Sequence, residues 1–327
     1  MSRRQQRSKA IRPALVLGVA ASLVAACSGS GPVQFLSLGT AGTGGIYYPL
    51  GGALASQMSL VDSVRQYTAE VSGGSVENVS RLQSGQIDLA FAVGNTVYEA
   101  YNGGQDYATP VSGLRILAPL YPNVTHIVVS QQSGARSVSD LRGGTVSVGP
   151  AGSGTEQMSR QILEAYGLTY DDVDVRYLSF SESATALKDG AIDAALISVG
   201  YPAAAVLEAT TTAGARLLPM EPEALAALRE AYPYYIPGTI PAGAYPGVEE
   251  EITTAAVFNW IIAMDTLDPA VVEVLLKVVV DGRERLERVH DMARQMDMTL
   301  LGDAPIPLHS TTEAWRVANG GAGGGGG

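Results

Sequence analysis

A chain of 327 residues with 21 basic and 32 acidic side chains carries a formal charge of −11 at pH 7, which disfavours nucleic acid and anionic membrane as partners. One cysteine excludes an internal disulfide, so stability outside the cytoplasm must come from core packing. The length suffices for two ordinary domains with cores of their own.

The chain opens with a basic head, Arg3, Arg4, Arg7, Lys9 and Arg12, then an apolar run from Ala14 to Ala26. That run is too short for a hydrocarbon core, which needs roughly 20 residues. Charge, apolar run and small residues in this order read as a cleavable secretory leader over 1–26. Val24-Ala25-Ala26-Cys27 resembles the bacterial lipobox, so Cys27 is expected to become the lipidated first residue of a mature protein tethered to a membrane in the periplasm or at the cell surface. Removing the leader takes five of the basic residues and none of the acidic ones, leaving −16.

Two segments then repeat one pattern. Glu77 to Ala90 (ENVSRLQSGQIDLA) and Glu182 to Ala195 (ESATALKDGAIDAA) match in Glu, Leu, Gly, Ile, Asp and Ala at an offset of 105. Each reads as a helix, a glycine stop and a strand: Leu82 and Leu187 face a core, Gly85 and Gly190 supply a positive-φ exit, and Ile87 and Ile192 begin strands. Upstream, Ser37 to Gly44 (SLGTAGTG) aligns with Ser147 to Gly154 (SVGPAGSG), each following a strand and opening a helix. Two similar α/β lobes with parallel strands follow from this duplication. Beyond it come a helix over 202–210, a strand over 215–218, a proline- and tyrosine-rich run over 232–245, and an apolar strand over 254–264. Asp268-Pro269 is an N-cap with proline at the first helical position, and the helical pattern continues to about Met298 with a break at Gly282.

The expected fold class is α/β, with two lobes, two crossings between them and a ligand cleft at the hinge. Residues 27–122 and 254–315 form the discontinuous first lobe and 123–253 the second. A glycine-rich tail over 316–327 is expected to be disordered.

In open parallel sheets ligands bind beyond the carboxyl ends of strands, where helix N-termini present unpaired N–H groups. Thr43 and Gly44 precede a helix beginning near Tyr47, and Ser153, Gly154 and Thr155 precede one over 156–166. Glycine allows close backbone approach, and the hydroxyls add donors for a carboxylate or carbonyl. Tyr47 and Tyr201 offer flat walls and hydroxyls. Ser75 and Asn78 stand at the start of the first repeated helix, where N-capping and ligand contact are both open. Neither turn contains a basic residue, and Glu156 suits either solvent or a ligand ammonium group. No dinucleotide fingerprint, P-loop, nucleophile elbow or His-Glu-x-x-His is present, and His126, His290 and His309 lack ligand spacing. No catalysis, metal or cofactor is therefore expected.

Together these residues resemble the TAXI family of solute receptors, the extracytoplasmic binding proteins of TRAP transporters. The resemblance rests on Gly39-Thr40-Ala41-Gly42-Thr43-Gly44-Gly45-Ile46-Tyr47-Tyr48-Pro49-Leu50-Gly51, Ser75-Val76-Glu77-Asn78, Asp140-Leu141-Arg142-Gly143, Gly152-Ser153-Gly154-Thr155, Ile240-Pro241-Ala242-Gly243-Ala244-Tyr245 and Ile306-Pro307-Leu308-His309. It implies a two-lobed type II periplasmic-binding-protein fold, no enzyme activity, and delivery of a small organic acid or an amino acid such as glutamate to a TRAP-type membrane permease. A sensor reporting to a membrane signalling partner and an enzyme on the same fold are the alternatives. After His309 the family continues with proline and glycine, whereas this chain has Ser310-Thr311-Thr312.

Overall fold

The computed structural model describes residues 33–104 and 106–320. The leader, Cys27 and the glycines beyond 320 lie outside the described residues.

The first unit runs β1 (Gln34–Gly39), α1 (Tyr47–Val61), β2 (Arg65–Glu70), α2 (Ser75–Gln83), β3 (Leu89–Val93), α3 (Gly94–Asn102). Its three strands are parallel, in the order β2-β1-β3. Alternation in β3 divides the core between the two faces of the sheet. Leu89 and Phe91 join Leu36 and Leu38 under Leu50, Leu54 and Met58 of α1. Ala90 and Ala92 meet Val79 and Leu82 of α2 and Trp260. Full burial of a side chain such as Leu54 contributes about 1.5–3 kcal/mol, so the i, i+4, i+8 row of α1 holds the helix more firmly than its intrinsic propensity does.

A long strand, β4 (Leu114–Val129), leads to the second unit: β5 (Thr145–Ser147), α4 (Gly154–Ala165), β6 (Asp174–Arg176), α5 (Phe180–Lys188), β7 (Ala194–Val199), α6 (Ala204–Thr212). Here β5, β6 and β7 are parallel. After β8 (Arg216–Leu218), α7 (Pro222–Ala231) and β9 (Ile236–Ile240) the chain returns through β10 (Ile252–Met264) to α8 (Pro269–Asp281), α9 (Arg283–Glu287) and α10 (Ser310–Ala318). The long strands β4 and β10 are antiparallel and join the two units in the order β2-β1-β3-β10-β4-β7-β5-β6. Both change partners midway: β4 pairs with β7 from Val124 onward, and β10 leaves β9 at Ala256 to meet β3 from Asn259.

The repeated segments fold alike. Gly85 (φ 68°) and Gly190 (φ 69°) end their helices in the left-handed region that glycine enters without steric cost, and Leu82 and Leu187 are buried. The repeated aspartate has one structural use in both copies: Asp88 accepts from the Ser37 N–H and Asp193 from the Thr145 N–H, each at 2.8 Å, clipping the loop to the first strand of its unit. Because the aspartate is committed to that clip, β3 and β7 begin two residues later than Ile87 and Ile192, which are buried in the loop ahead.

Other expectations shift modestly. Asp268 caps α8 by accepting from the Ala270 N–H at 2.9 Å, with Pro269 at the first position. Past Gly282 the helix does not run on to Met298; a short α9 and two 3-10 segments, Asp291–Gln295 and Met298–Asp303, replace it. The C-terminal helix α10 extends through Ala318, so residues 316–318 are helical and not part of a structureless tail. Its anchorage is explicit: the His309 N–H donates to Ile116 O at 2.9 Å and Thr312 Oγ1 to Leu117 O at 3.0 Å, tying this segment to β4 despite the missing proline and glycine. Among the described residues no helix is long and apolar enough to cross a membrane.

Candidate functional site

A cavity of about 70 Å³ lies where the carboxyl ends of strands from both units meet. From the first unit it is lined by Ala41, Gly42 and Gly44 to Tyr47, by Gly73 to Ser75, and by Val93. The second unit contributes Pro150, Ser153 to Thr155, Ser179 and Phe180, and Ser198 and Val199 at the end of β7. Tyr121 and Asn123, from the middle of β4, complete it. No arginine, lysine, histidine, aspartate or glutamate is among the described residues that line it.

Side chains at its floor are locked by one chain of hydrogen bonds. Tyr47 OH donates to Asn259 Oδ1, Asn259 Nδ2 donates to Asn123 Oδ1 and to Tyr121 O (2.7 Å each), and Asn123 Nδ2 donates to Ser198 O at 3.0 Å. Tyr47 also meets Phe91 and Tyr121 edge to face. Burial raises the pKa of both tyrosine hydroxyls well above the ordinary value, so they remain protonated donors. Tyr121 differs in one respect: its hydroxyl is fully buried and has no hydrogen-bond partner.

The two units close on each other around this cavity. The Glu77 N–H donates to Gly152 O at 3.0 Å, and Asn95 Nδ2 to Gly154 O at 3.4 Å. Thr96 Oγ1 donates to Gln157 Oε1. Glu99 Oε1 accepts from Gln161 Nε2 and from Tyr234 OH, both at 2.7 Å, while Asp106 accepts from Gln157 Nε2 at 2.7 Å and pairs with Arg160 at 2.9 Å. Glycine makes the approach possible. A Cβ on Gly154 would stand 2.2 Å from Val93 Cγ2, and one on Gly44 would stand 2.5 Å from Ser181 Oγ.

Of the residues singled out in the sequence, Gly44, Tyr47, Ser75, Ser153, Gly154 and Thr155 line the cavity. Thr43 is exposed on the first turn and Tyr201 packs against the core, both outside it. Asn78 is fully buried, and its amide donates to Thr40 O at 2.7 Å and Phe91 O at 2.9 Å, bracing the first turn against β3. Ser153 lies at the cavity, yet its hydroxyl donates to Pro150 O at 2.6 Å and accepts from the Glu156 N–H at 3.1 Å, capping α4. Glu156 turns away, accepting from Tyr170 OH at 2.9 Å and pairing with Arg160 at 3.4 Å. Arg81 pairs with Glu70.

Sequence reasoning missed Tyr121, Asn123, Phe180 and Ser198. Tyr121 and Asn123 sit inside the long strand β4 with no motif around them, and only their place at the crossing between units was a signal. His126, on the same strand, is a packing residue: fully buried, it lies between Tyr245 OH (2.9 Å) and Ile197 O (3.3 Å), and burial pushes its pKa down to about 4.

Solved structures with this architecture are similar in fold at low identity. A periplasmic transporter superposes with a TM-score of 0.54 at 13% identity, over 88% of this chain and 93% of that one. A Bordetella bronchiseptica RB50 protein gives 0.52 at 16%, over 88% and 82%. A Xanthomonas citri protein bound to ATP gives 0.51 at 16%, over 87% and 98%. The fold is the two-lobed α/β architecture of periplasmic binding proteins. Residues 38–315 match the model of the NMT1-like family, and the chain belongs to that family.

Proposed function

We propose that this chain is an extracytoplasmic solute-binding receptor that captures a small carboxylate-bearing solute, an organic acid or an amino acid, and delivers it to a TRAP-type membrane permease. The observation that carries the reading is the cavity: helix starts from two α/β units line one small space between them, and hydrogen bonds such as Asn95 to Gly154 and Gln161 to Glu99 join one unit to the other beside it. A carboxylate is the anion such a place receives, because backbone N–H groups and neutral hydroxyls stabilise one negative charge without a buried cation. The lobes are 27–122 with 254–315, and 123–253; the partner changes in β4 at Val124 and in β10 between Ala256 and Asn259 favour these crossings as the hinge. The leader and Cys27 supply export and a lipid tether, and the permease assignment rests on the sequence resemblance.

Among the described residues the lining carries serine, threonine and tyrosine hydroxyls, and the carboxylate beside one of them, Glu182, is engaged with Ser179 in a capping box, an arrangement that suits a receptor. Native mass spectrometry of residues 28–327 tests the reading: a stoichiometric bound acid is expected, released intact after unfolding. A bound molecule returned chemically altered, or one with no acid group, contradicts it. Uptake of that acid by cells carrying the receptor and its permease should stop when ion gradients are collapsed and persist when ATP alone is depleted.

A further inference from the structure

We propose that the amino end of the first unit rests on the lipid bilayer, with an exposed apolar rim around Phe35, Leu60 and Val64 touching the membrane that holds the lipidated Cys27. This rests on the lipid tether proposed above and is independent of the solute.

The two most exposed large apolar side chains among the described residues are Leu60, 76% exposed, and Phe35, 75% exposed. They lie at one end of the first unit. Because β1 and β2 are parallel, α1 runs back between them, and its last turn, with Leu60 and Val61, returns to the level where β1 begins. There the Gln34 N–H donates to Val64 O at 3.3 Å, and the register sets Phe35 opposite Gln66. Val33, Phe35, Leu60, Val61 and Val64, all exposed, therefore gather around one edge. Leu36 and Leu38 point under α1, so by alternation Phe35 projects from the other face, and the rim wraps the end of the sheet from both sides. Apolar side chains scattered singly over a surface are ordinary, whereas a group of them at one end marks a contact surface. The neighbouring charges are paired: Arg65 with Asp62 at 3.1 Å and with Asp268, and Lys277 with Asp281 at 2.6 Å.

The chain itself indicates what covers this rim. Only the five residues from Ser28 to Pro32 separate Cys27 from Val33. At about 3.3–3.6 Å per residue, even a fully extended segment spans about 20 Å, so a lipid on Cys27 keeps the rim that close to the bilayer. The tether thereby presents phenylalanine, leucine and valine to the membrane at high effective concentration, and these side chains enter the boundary between headgroups and acyl chains. The other end of β1, roughly 20 Å away, leads to Ala41 and Gly42 at the cavity. Contact at the rim leaves the cleft clear of the membrane.

The test uses the lipidated mature chain in phosphatidylcholine vesicles whose acyl chains carry nitroxide quenchers. With the Cys27 sulfur alkylated, Ser63→Cys at the rim or Thr211→Cys on α6 of the second unit supplies the one thiol for a fluorescent dye; both native residues are exposed. Fluorescence from position 63 should fall about twofold or more, and that from position 211 should not change. Adding Phe35→Ser and Leu60→Ser should abolish the quenching at position 63 with circular dichroism unchanged. Quenching that survives the two serines, or no quenching at position 63 in a chain whose mass shows the lipid, overturns the inference and leaves the tether standing. Unmodified Cys27 in the chain purified from cells overturns tether and inference together. A dimer of unlipidated residues 28–327 that shields position 63 without vesicles, and that the two serines split, assigns the rim to a second copy and also overturns the inference.

Discussion

The two glycine-rich turns share one sequence pattern and one place in the fold, yet they leave the helices that follow in different states. In the second unit, Ser153 accepts from the Glu156 N–H, and Ser179 forms a full capping box with Glu182. In the first unit, α1 follows Ile46, α2 follows Gly74 and α3 follows Val93, and none of the three has a side-chain cap. A side-chain cap spends part of a helix start's donor capacity on its own turn, whereas the uncapped start of α2 gives only its Glu77 N–H away, to Gly152 O across the cleft. On the receptor reading, this difference predicts a division of labour in which the first unit holds the anion and the second closes over it.

The largest effect should come from preventing closure. Gly154→Val places side-chain atoms where Val93 Cγ2 and Thr96 Oγ1 already stand, and overpacking of about 1–3 kcal/mol opposes only the closed form. Solute affinity should fall roughly tenfold to a hundredfold with the fold intact by circular dichroism. If affinity holds, the second unit is not the lid. Next comes the seal at Glu99, which accepts from two partners across the cleft. Glu99→Ala should weaken binding about tenfold through loss of hydrogen bonds to a charged group, chiefly as faster release in stopped-flow measurements.

Ser153→Ala discriminates between the units more finely. Its hydroxyl is occupied at both ends within its own turn, so the variant should lose about 1 kcal/mol of stability in urea titrations while affinity stays within about twofold. A tenfold loss of affinity with no loss of stability would place the anion on the second unit. The smallest expected effect is that of pH. Burial raises the pKa of the Tyr47 and Tyr121 hydroxyls, which keeps both protonated well above neutrality, and among the described residues no side chain that changes charge between pH 6 and 9 lines the cavity. Affinity measured by calorimetry should be flat across that range. A step near pH 6.5 would signal a histidine in the site.

How much of this the sequence disclosed follows from how local each signal is. The duplicated helix, glycine stop and strand are written in short-range patterns, and Gly85, Gly190, Leu82 and Leu187 take the predicted roles because helix exits and core faces are decided within a few residues. Asp268-Pro269 marks a helix start for the same reason. What could not be read is how polar groups are shared across long separations. Asn78 has the type and place of a ligand donor, but it braces Thr40 O and Phe91 O. Ser153 and Thr43 look equivalent in the alignment, yet one caps a helix inside the cavity and the other is exposed. Tyr121 enters the lining only because β4 carries it to the crossing between units.

A crystal structure of the mature chain with its co-purified solute tests the central division most directly. The account predicts a carboxylate at the uncapped starts of α1 and α2, with the body of the solute against Phe180 and Val199. A carboxylate seated on the starts of α4 and α5, at Ser153 and Ser179, or a solute bound outside this cavity, would contradict it.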